Sequence, residues 1–414
     1  VLDIVHHGHT LEFISTPPAK PPKKEKREHL QRLWEEVEKL LRKNAIEEVP
    51  CGEIEGFYSR FFLILKKSGD WRPILDLRDL NKFLKSKGFR MITLQNILPF
   101  LKAEEYLASV DLEDAYFNIP IHRKHRKFLR FSVAGHHYQF KALPFGLKSA
   151  PRVFTKCMAP VAAFLRRMGV AIYPYLDDWL VRASSYPQAL SSLHCLRRTL
   201  LSLGLAINVQ KSHLNPSRTI IFLGAQISTH ANRVSPTQER GQKLIRQATY
   251  LIQRSRSSVR TVKSLLGTIS SCILLIPHCR LRMRVIQEQV NLQWRQVSGD
   301  WDDIIQITRT MKNALEWWTK PTNVFKGLPL IVDIPQFILS TDASLKGWGA
   351  HLQELQANGV WSPQEASLHI NILELRAVRL ALKAFLPQIR NSRVKVRTDN
   401  TTTMYYILKQ GGTK

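Results

Sequence analysis

Residues 172–181 read Ile172-Tyr173-Pro174-Tyr175-Leu176-Asp177-Asp178-Trp179-Leu180-Val181. Two adjacent carboxylates sit between two short apolar runs rich in aromatic and branched residues, a strand composition. The pair falls at the tip of a hairpin or just past it. Side-by-side anions raise one another's pKa, and a hard divalent cation relieves that repulsion. A solvated turn with two aspartates is the plainer alternative, and on this stretch alone the two stand level.

Other stretches tip the balance. Tyr106 to Val110 is a short apolar strand that runs straight into Asp111, followed by Asp114, Ala115, Tyr116 and Phe117. A carboxylate at the end of a buried strand is costly unless it is paired or metal-bound. Asp111 is therefore the natural third ligand for the Asp177–Asp178 centre. Downstream, Phe337 to Asp342 and Val394 to Asp399 read as strands ending in Asp, and the helix Ile370 to Phe385 carries Glu374 in its first half. Together Asp342, Glu374 and Asp399 form a second candidate metal centre, of the kind used in two-metal phosphodiester chemistry. Taken singly, each is more simply a capping or turn aspartate or a surface glutamate.

Charge points the same way. Lys plus Arg number 61 against 33 Asp plus Glu, a formal net charge of +28. Such an excess calls for a polyanion, nucleic acid ahead of an acidic membrane surface. No apolar run is long enough to span a bilayer. The 414 residues suffice for two to four domains. Five scattered cysteines without a CxxC pair read as free thiols in a reducing compartment. The chain begins at Val1 without a secretory signal and is expected to be a piece of a longer precursor.

Along the chain, residues 1–22, with Pro17-Pro18 and Pro21-Pro22, read as a linker. Lys23 to Lys43 carries Leu30, Leu33, Trp34, Val37, Leu40 and Leu41 at helical spacing, a packing stripe. Arg60 to Lys67 and Trp71 to Leu77 read as a hairpin around Ser68-Gly69-Asp70. It presents Lys66, Lys67 and Arg72, which suit a triphosphate, although a solvated basic turn is the simpler reading of these residues alone. His122 to Arg130 is basic and interleaved with Phe128 and Phe131, as fits a phosphate backbone or a solvated strand-and-turn face. Pro151 opens a helix from about Arg152 to Met168, and 187–203 forms another. Ser235-Pro236-Thr237-Gln238 reads as a capped helix start. Helices over 236–253 and 258–275 then form a basic module suited to clamping a duplex backbone.

Several stretches match one family. Val110-Asp-Leu-Glu-Asp-Ala-Tyr-Phe117, Leu143-Pro-Phe-Gly-Leu147, Tyr175-Leu-Asp-Asp178 and Phe222-Leu-Gly224 resemble the ordered blocks of a retroelement reverse transcriptase. Trp71-Arg72 and Leu77-Arg78-Asp79-Leu80-Asn81 resemble its fingers hairpin. Residues 337–414, through Ile372-Leu-Glu-Leu375 and Thr398-Asp-Asn-Thr401, resemble the ribonuclease H domain that follows it. The last segment, including Lys409-Gln-Gly-Gly-Thr413, is most similar to the DIRS-like retrotransposons, which use a tyrosine recombinase.

The resemblance implies an α/β (α+β) fold: a right-hand polymerase of fingers, palm and thumb, then a ribonuclease H-like mixed α/β domain. It implies a linker at 1–22, fingers and palm over 23–233, a basic helical thumb and connection over 234–330, and a ribonuclease H-like domain over 331–414. The implied activity is an RNA-directed DNA polymerase extending a DNA primer with dNTPs on RNA or DNA. The alternative is a catalytically decayed or domesticated nucleic-acid binder. Two Mg²⁺, with Mn²⁺ able to substitute, would sit on Asp111, Asp177 and Asp178, joined by the carbonyl of Leu112. Lys66 and Arg72 would hold the triphosphate, Tyr116 would be the ribose gate, and Phe145 would stand where retroviral enzymes have glutamine. Lys211 would be the general acid for pyrophosphate, and Phe222, Leu223 and Gly224 the primer grip. Asp342, Glu374 and Asp399 match three of the family's four acidic ribonuclease H ligands. The fourth normally lies further along, so that domain is expected to be C-terminally truncated. Implied partners are an RNA template, a DNA primer, RNA–DNA hybrid and other parts of the element's polyprotein, with no membrane. The implied setting is intracellular, in cytoplasm or nucleus.

Overall fold

Strand Tyr106–Asp111 is the axis around which the first half of the chain packs. The computed structural model describes residues 1–22, 30–50, 52–65, 69, 71–294, 299–332 and 334–411. The chain divides into two compact units, Val1–Leu223 and Gly224–Lys414.

In the first unit a four-stranded sheet runs in the order Ala171–Tyr175, Asp178–Ala183, Tyr106–Asp111, His213–Ser217. All of its pairings are antiparallel. Leu107, Ala108, Val110, Trp179, Leu180 and Val181 are fully buried, so the two central strands are covered on both faces. Helices Ala150–Arg167 and Tyr186–Ser202 supply part of that cover. Each has a proline in its first turn, where no backbone donor is needed. Ser185 caps the second by accepting the Gln188 N–H at 3.4 Å.

Ahead of that sheet, strands Arg60–Leu65 and Trp71–Asp76 pair antiparallel, with Leu65 opposite Trp71. Lys66, Lys67, Ser68 and Asp70 of the expected hairpin tip lie outside the described residues. Helix Leu30–Arg42 buries Leu33, Val37 and Leu40. The basic run after His122 folds as the 3-10 helix Arg123–Phe128, and Arg130 enters the next strand.

Residues 1–22 do not behave as a linker. Backbone bridges join His9 to Ile121, Phe13 to Leu84 and Lys20 to Phe57, and Leu11 joins the core. The His9 N–H donates to the Pro120 carbonyl at 2.6 Å. After helix Leu2–His7 the segment runs largely extended, and extended backbone bonds a neighbouring strand as readily as water.

The second unit opens with the antiparallel pair Ala225–Ser228 and Arg233–Pro236. Ser235 and Pro236 are thereby strand residues, and the helix begins later than expected, as Gln238–Ile252. Its cap is Thr237, which accepts the Arg240 N–H at 3.4 Å. Helix Val259–Ser270 follows, capped by Ser258 and shorter than the expected 258–275. Helices Cys279–Trp294 and Arg309–Thr319 pack with these two.

Phe337–Ala343, Gly347–Leu352 and Leu355–Val360 form an antiparallel meander. Val394–Arg397 then joins Phe337–Ala343 in parallel. A parallel neighbour requires a crossover, and helix Ile370–Ala384 supplies it, burying Leu373, Ala377 and Ala381. Among the described residues no helix is long and apolar enough to cross a membrane.

Candidate active site

Strand register builds the first site. Asp111 ends its strand, Asp178 begins its own, and the two stand directly opposite. Tyr175 pairs with Asp178, so Leu176 and Asp177 are the two-residue hairpin turn. Leu176 takes φ of 51°, in the left-handed region that branched side chains rarely enter. Two bonds hold the turn there. The indole Nε1 of Trp179 donates to the Leu176 carbonyl at 2.9 Å, and the Leu112 N–H donates to the Asp177 carbonyl at 2.9 Å.

The electrostatics follow from that placement. Burial pushes the Asp177 carboxyl up to about 6, helped by the negative charges of Asp111, Asp178 and Asp114. Burial likewise raises Asp178 to about 6, with Asp111 adding its charge and a hydrogen bond that favours the protonated form. Lys211 is exposed, and its positive charge works against both shifts. Asp177 Oδ1 is buried without a hydrogen-bond partner. A buried carboxylate oxygen with no donor is costly, and a hard divalent cation is the ligand that satisfies it. The donor set therefore fits a metal.

The neighbouring residues are gathered to different degrees. Tyr116 lies in the turn Ala115–Asn118, is 6% exposed, and stacks on Phe145 with centroids 4.8 Å apart. Burial raises its hydroxyl to about 12, and the Asp177 charge adds to the shift. Arg72 stands exposed opposite Ile64 on the hairpin. Phe222 is buried at the end of strand Thr219–Phe222, and Leu223 and Gly224 turn the chain with φ of 48° and 72°. The division between the two units runs through this expected primer grip.

Two features escaped sequence reading. Lys43, after the first long helix, forms ion pairs with Asp114 and with Glu113 at 3.8 Å. Asn208 and Ser212 bond the backbone of Asp111. Neither pattern has a periodicity, so only the fold reveals them.

The second site is compact. The ligand atoms of Asp342, Glu374 and Asp399 all lie within 4.8 Å of one another. Parallel pairing of Phe337–Ala343 with Val394–Arg397 brings Asp342 and Asp399 to the same sheet end. Glu374 reaches them from the crossover helix, 3% exposed, accepting the Ala343 N–H at 3.3 Å and the Thr398 hydroxyl at 3.5 Å. Burial raises its carboxyl, and the Asp399 and Asp342 charges raise it further.

The family model described as reverse transcriptase (RNA-dependent DNA polymerase) matches residues 64–227, which contain the whole first site. The putative enzymatic polyprotein of Cassava vein mosaic virus is 24% identical over 94% of this chain and 60% of its own length. The retrovirus-related Pol polyprotein from transposon 412 of Drosophila melanogaster is 23% identical over 91% of this chain and 30% of its own. The chain thus spans less than two thirds of these relatives. Among solved structures, a foamy viral protease-reverse transcriptase in complex with double-stranded DNA is similar at a TM-score of 0.66 and 19% identity. The match covers 94% of this chain and 67% of that one. A foamy viral protease-reverse transcriptase with RNA/DNA hybrid gives 0.65 at 18% identity, covering 98% and 53%. Residues 64–227 thus match a reverse transcriptase model, and the relatives similar to the wider chain are viral and transposon polyproteins. The chain's mixed α/β architecture is the polymerase fold with a ribonuclease H-like domain.

Proposed function

We propose that this chain is the polymerase and ribonuclease H-like part of a retrotransposon polyprotein. It extends a DNA primer with dNTPs on an RNA or DNA template. The observation that carries the reading is the buried, unpartnered Asp177 Oδ1 beside the facing pair Asp111 and Asp178.

Asp111, Asp177 and Asp178 are the residues that would hold two Mg²⁺, or Mn²⁺, with the Leu112 carbonyl at the edge of the set. When bound, the cations supply activation of the attacking 3′-hydroxyl and stabilisation of the leaving oxygen. Arg72, with Lys66, neutralises the triphosphate. The Tyr116 ring, backed by Phe145 and Phe154, excludes a 2′-hydroxyl. Lys211 delivers a proton to pyrophosphate, and Phe222, Leu223 and Gly224 hold the primer end. The basic helices after residue 234 contact duplex backbone.

Asp342, Glu374 and Asp399 are the proposed ligands of a second pair of ions, acting on the RNA of an RNA–DNA hybrid. Residues 23–233 are proposed as fingers and palm, 234–330 as thumb and connection, and 331–414 as the ribonuclease H-like domain. The wording of the last segment favours a DIRS-like element, acting in the cytoplasm or nucleus.

Primer extension on RNA and on DNA templates, with and without EDTA, tests the reading. Incorporation on both templates that EDTA abolishes supports it. Tight primer–template binding without incorporation favours the decayed, non-enzymatic copy instead.

A further inference from the structure

Asp111 occupies an awkward place in its sheet. On one side it faces Asp178. On the other, strand His213–Ser217 pairs with the Asp111 strand only at Leu107–Ser217 and Ser109–His213, with an irregularity between them. A continued ladder would bring residue 211 opposite Asp111, but the chain leaves the sheet there. The N–H and carbonyl of Asp111 would lose their partners at the point where a charged side chain must be aimed.

The segment 208–212 fills that gap. The Asp111 N–H donates to Ser212 Oγ at 2.9 Å. The Asn208 N–H donates to the Asp111 carbonyl at 2.9 Å. Ser212 Oγ donates in turn to the Asn208 carbonyl at 2.6 Å, and the Ser212 N–H donates to that same carbonyl at 3.0 Å. The Asn208 side chain accepts the Lys211 N–H at 3.1 Å, closing the turn. A side-chain hydroxyl thus replaces a strand carbonyl, and both backbone polar groups of Asp111 are satisfied by one small ring of bonds.

We propose that Ser212 is a positioning residue for polymerisation: its hydroxyl fixes the backbone of Asp111 and so the direction of the Asp111 carboxylate. The inference rests on the polymerase reading of Asp111. Lys211 belongs to the same short turn, through its backbone bond to Asn208.

The test compares Ser212→Thr, which keeps a hydroxyl, with Ser212→Val, its isostere without one. Ser212→Thr should retain most of the wild-type kcat for dNTP incorporation. Ser212→Val should lose ~10-fold or more in kcat with the dNTP KM little changed, because misaim by a fraction of an ångström acts on the reacting geometry. A second readout needs no turnover. In an Asp342→Asn background, Ser212→Val should weaken Mn²⁺ binding several-fold by calorimetry, and Ser212→Thr should not. Should Ser212→Val fail to fold by circular dichroism, Ser212→Ala takes its place in both comparisons. Asp111→Asn separates the two levels of the argument. Wild-type incorporation by Asp111→Asn overturns the site itself. An inactive Asp111→Asn, with Ser212→Val equal to Ser212→Thr in both kcat and Mn²⁺ affinity, overturns the tether alone.

Discussion

Asp111 and Asp178 face one another from the ends of neighbouring antiparallel strands, a register that spends folding energy on like charges. Burial and that neighbour raise Asp178 from 3.8 to about 6. A carboxyl whose pKa is higher in the folded state stabilises the fold while protonated. Its contribution is full below the unfolded value, near pH 4, and is lost as pH rises through about 6. In EDTA, Asp178→Asn should therefore melt above wild type at about pH 7.5 and no higher than wild type at about pH 4. Adding Mg²⁺ at the higher pH should narrow the gap. A melting difference that ignores both pH and Mg²⁺ would remove the strain from this pair.

Trp179 is fully buried, and its Nε1 holds the left-handed Leu176 that turns Asp177 inward. Trp179→Phe keeps an aromatic ring and deletes that donor. Urea denaturation should show a loss of about 1–3 kcal/mol, from the orphaned carbonyl and the vacated volume. Incorporation should fall by about 10-fold as Asp177 drifts. A destabilised variant with an undiminished rate would mean that the turn does not depend on the indole.

Tyr116 lies with its ring on Phe145 and Phe154, close enough to Asp177 to feel its charge. Tyr116→Val should cut discrimination against ribonucleotides by about 10-fold or more, equivalent to about 1.4 kcal/mol. Single-nucleotide insertion of dNTP and rNTP measures it. Equal discrimination in the two proteins rules out the gate.

Asp342 is exposed, whereas Glu374 is buried between the Ala343 N–H and the Thr398 hydroxyl. Asp342→Asn should weaken Mn²⁺ binding at the second site while leaving dNTP incorporation within about 2-fold and stability within about 0.5 kcal/mol. Glu374→Ala should also destabilise the fold, because it strands the two donors. Identical stability losses for both variants would argue against this division of roles.

Much of the first site was legible because strands declare themselves by alternation and by their ends. Asp111, Asp177 and Asp178 were readable as carboxylates at the ends of apolar runs, and the structure pairs those very strands. The second centre was readable on the same grounds, and its ligand atoms come within 4.8 Å. What escaped lies in non-periodic chain. Ser235-Pro236 has the composition of a helix start, yet the strand Ala225–Ser228 claims both residues and moves the cap to Thr237. Residues 1–22 look like a linker because of Pro17-Pro18 and Pro21-Pro22, yet their backbone finds partners at Ile121, Leu84 and Phe57. Ser212 and Asn208 gave no signal at all, since a side-chain hydroxyl standing in for a strand carbonyl leaves no pattern in sequence.

The most direct test is a single-turnover incorporation assay on Asp177→Asn with primer–template affinity measured in parallel. The account predicts that incorporation nearly vanishes while primer–template affinity stays close to wild type, because Asp177 serves the cation site and the basic surface does the binding. Incorporation at the wild-type rate, or its loss together with primer–template binding, would contradict the claim that these carboxylates form a catalytic metal centre.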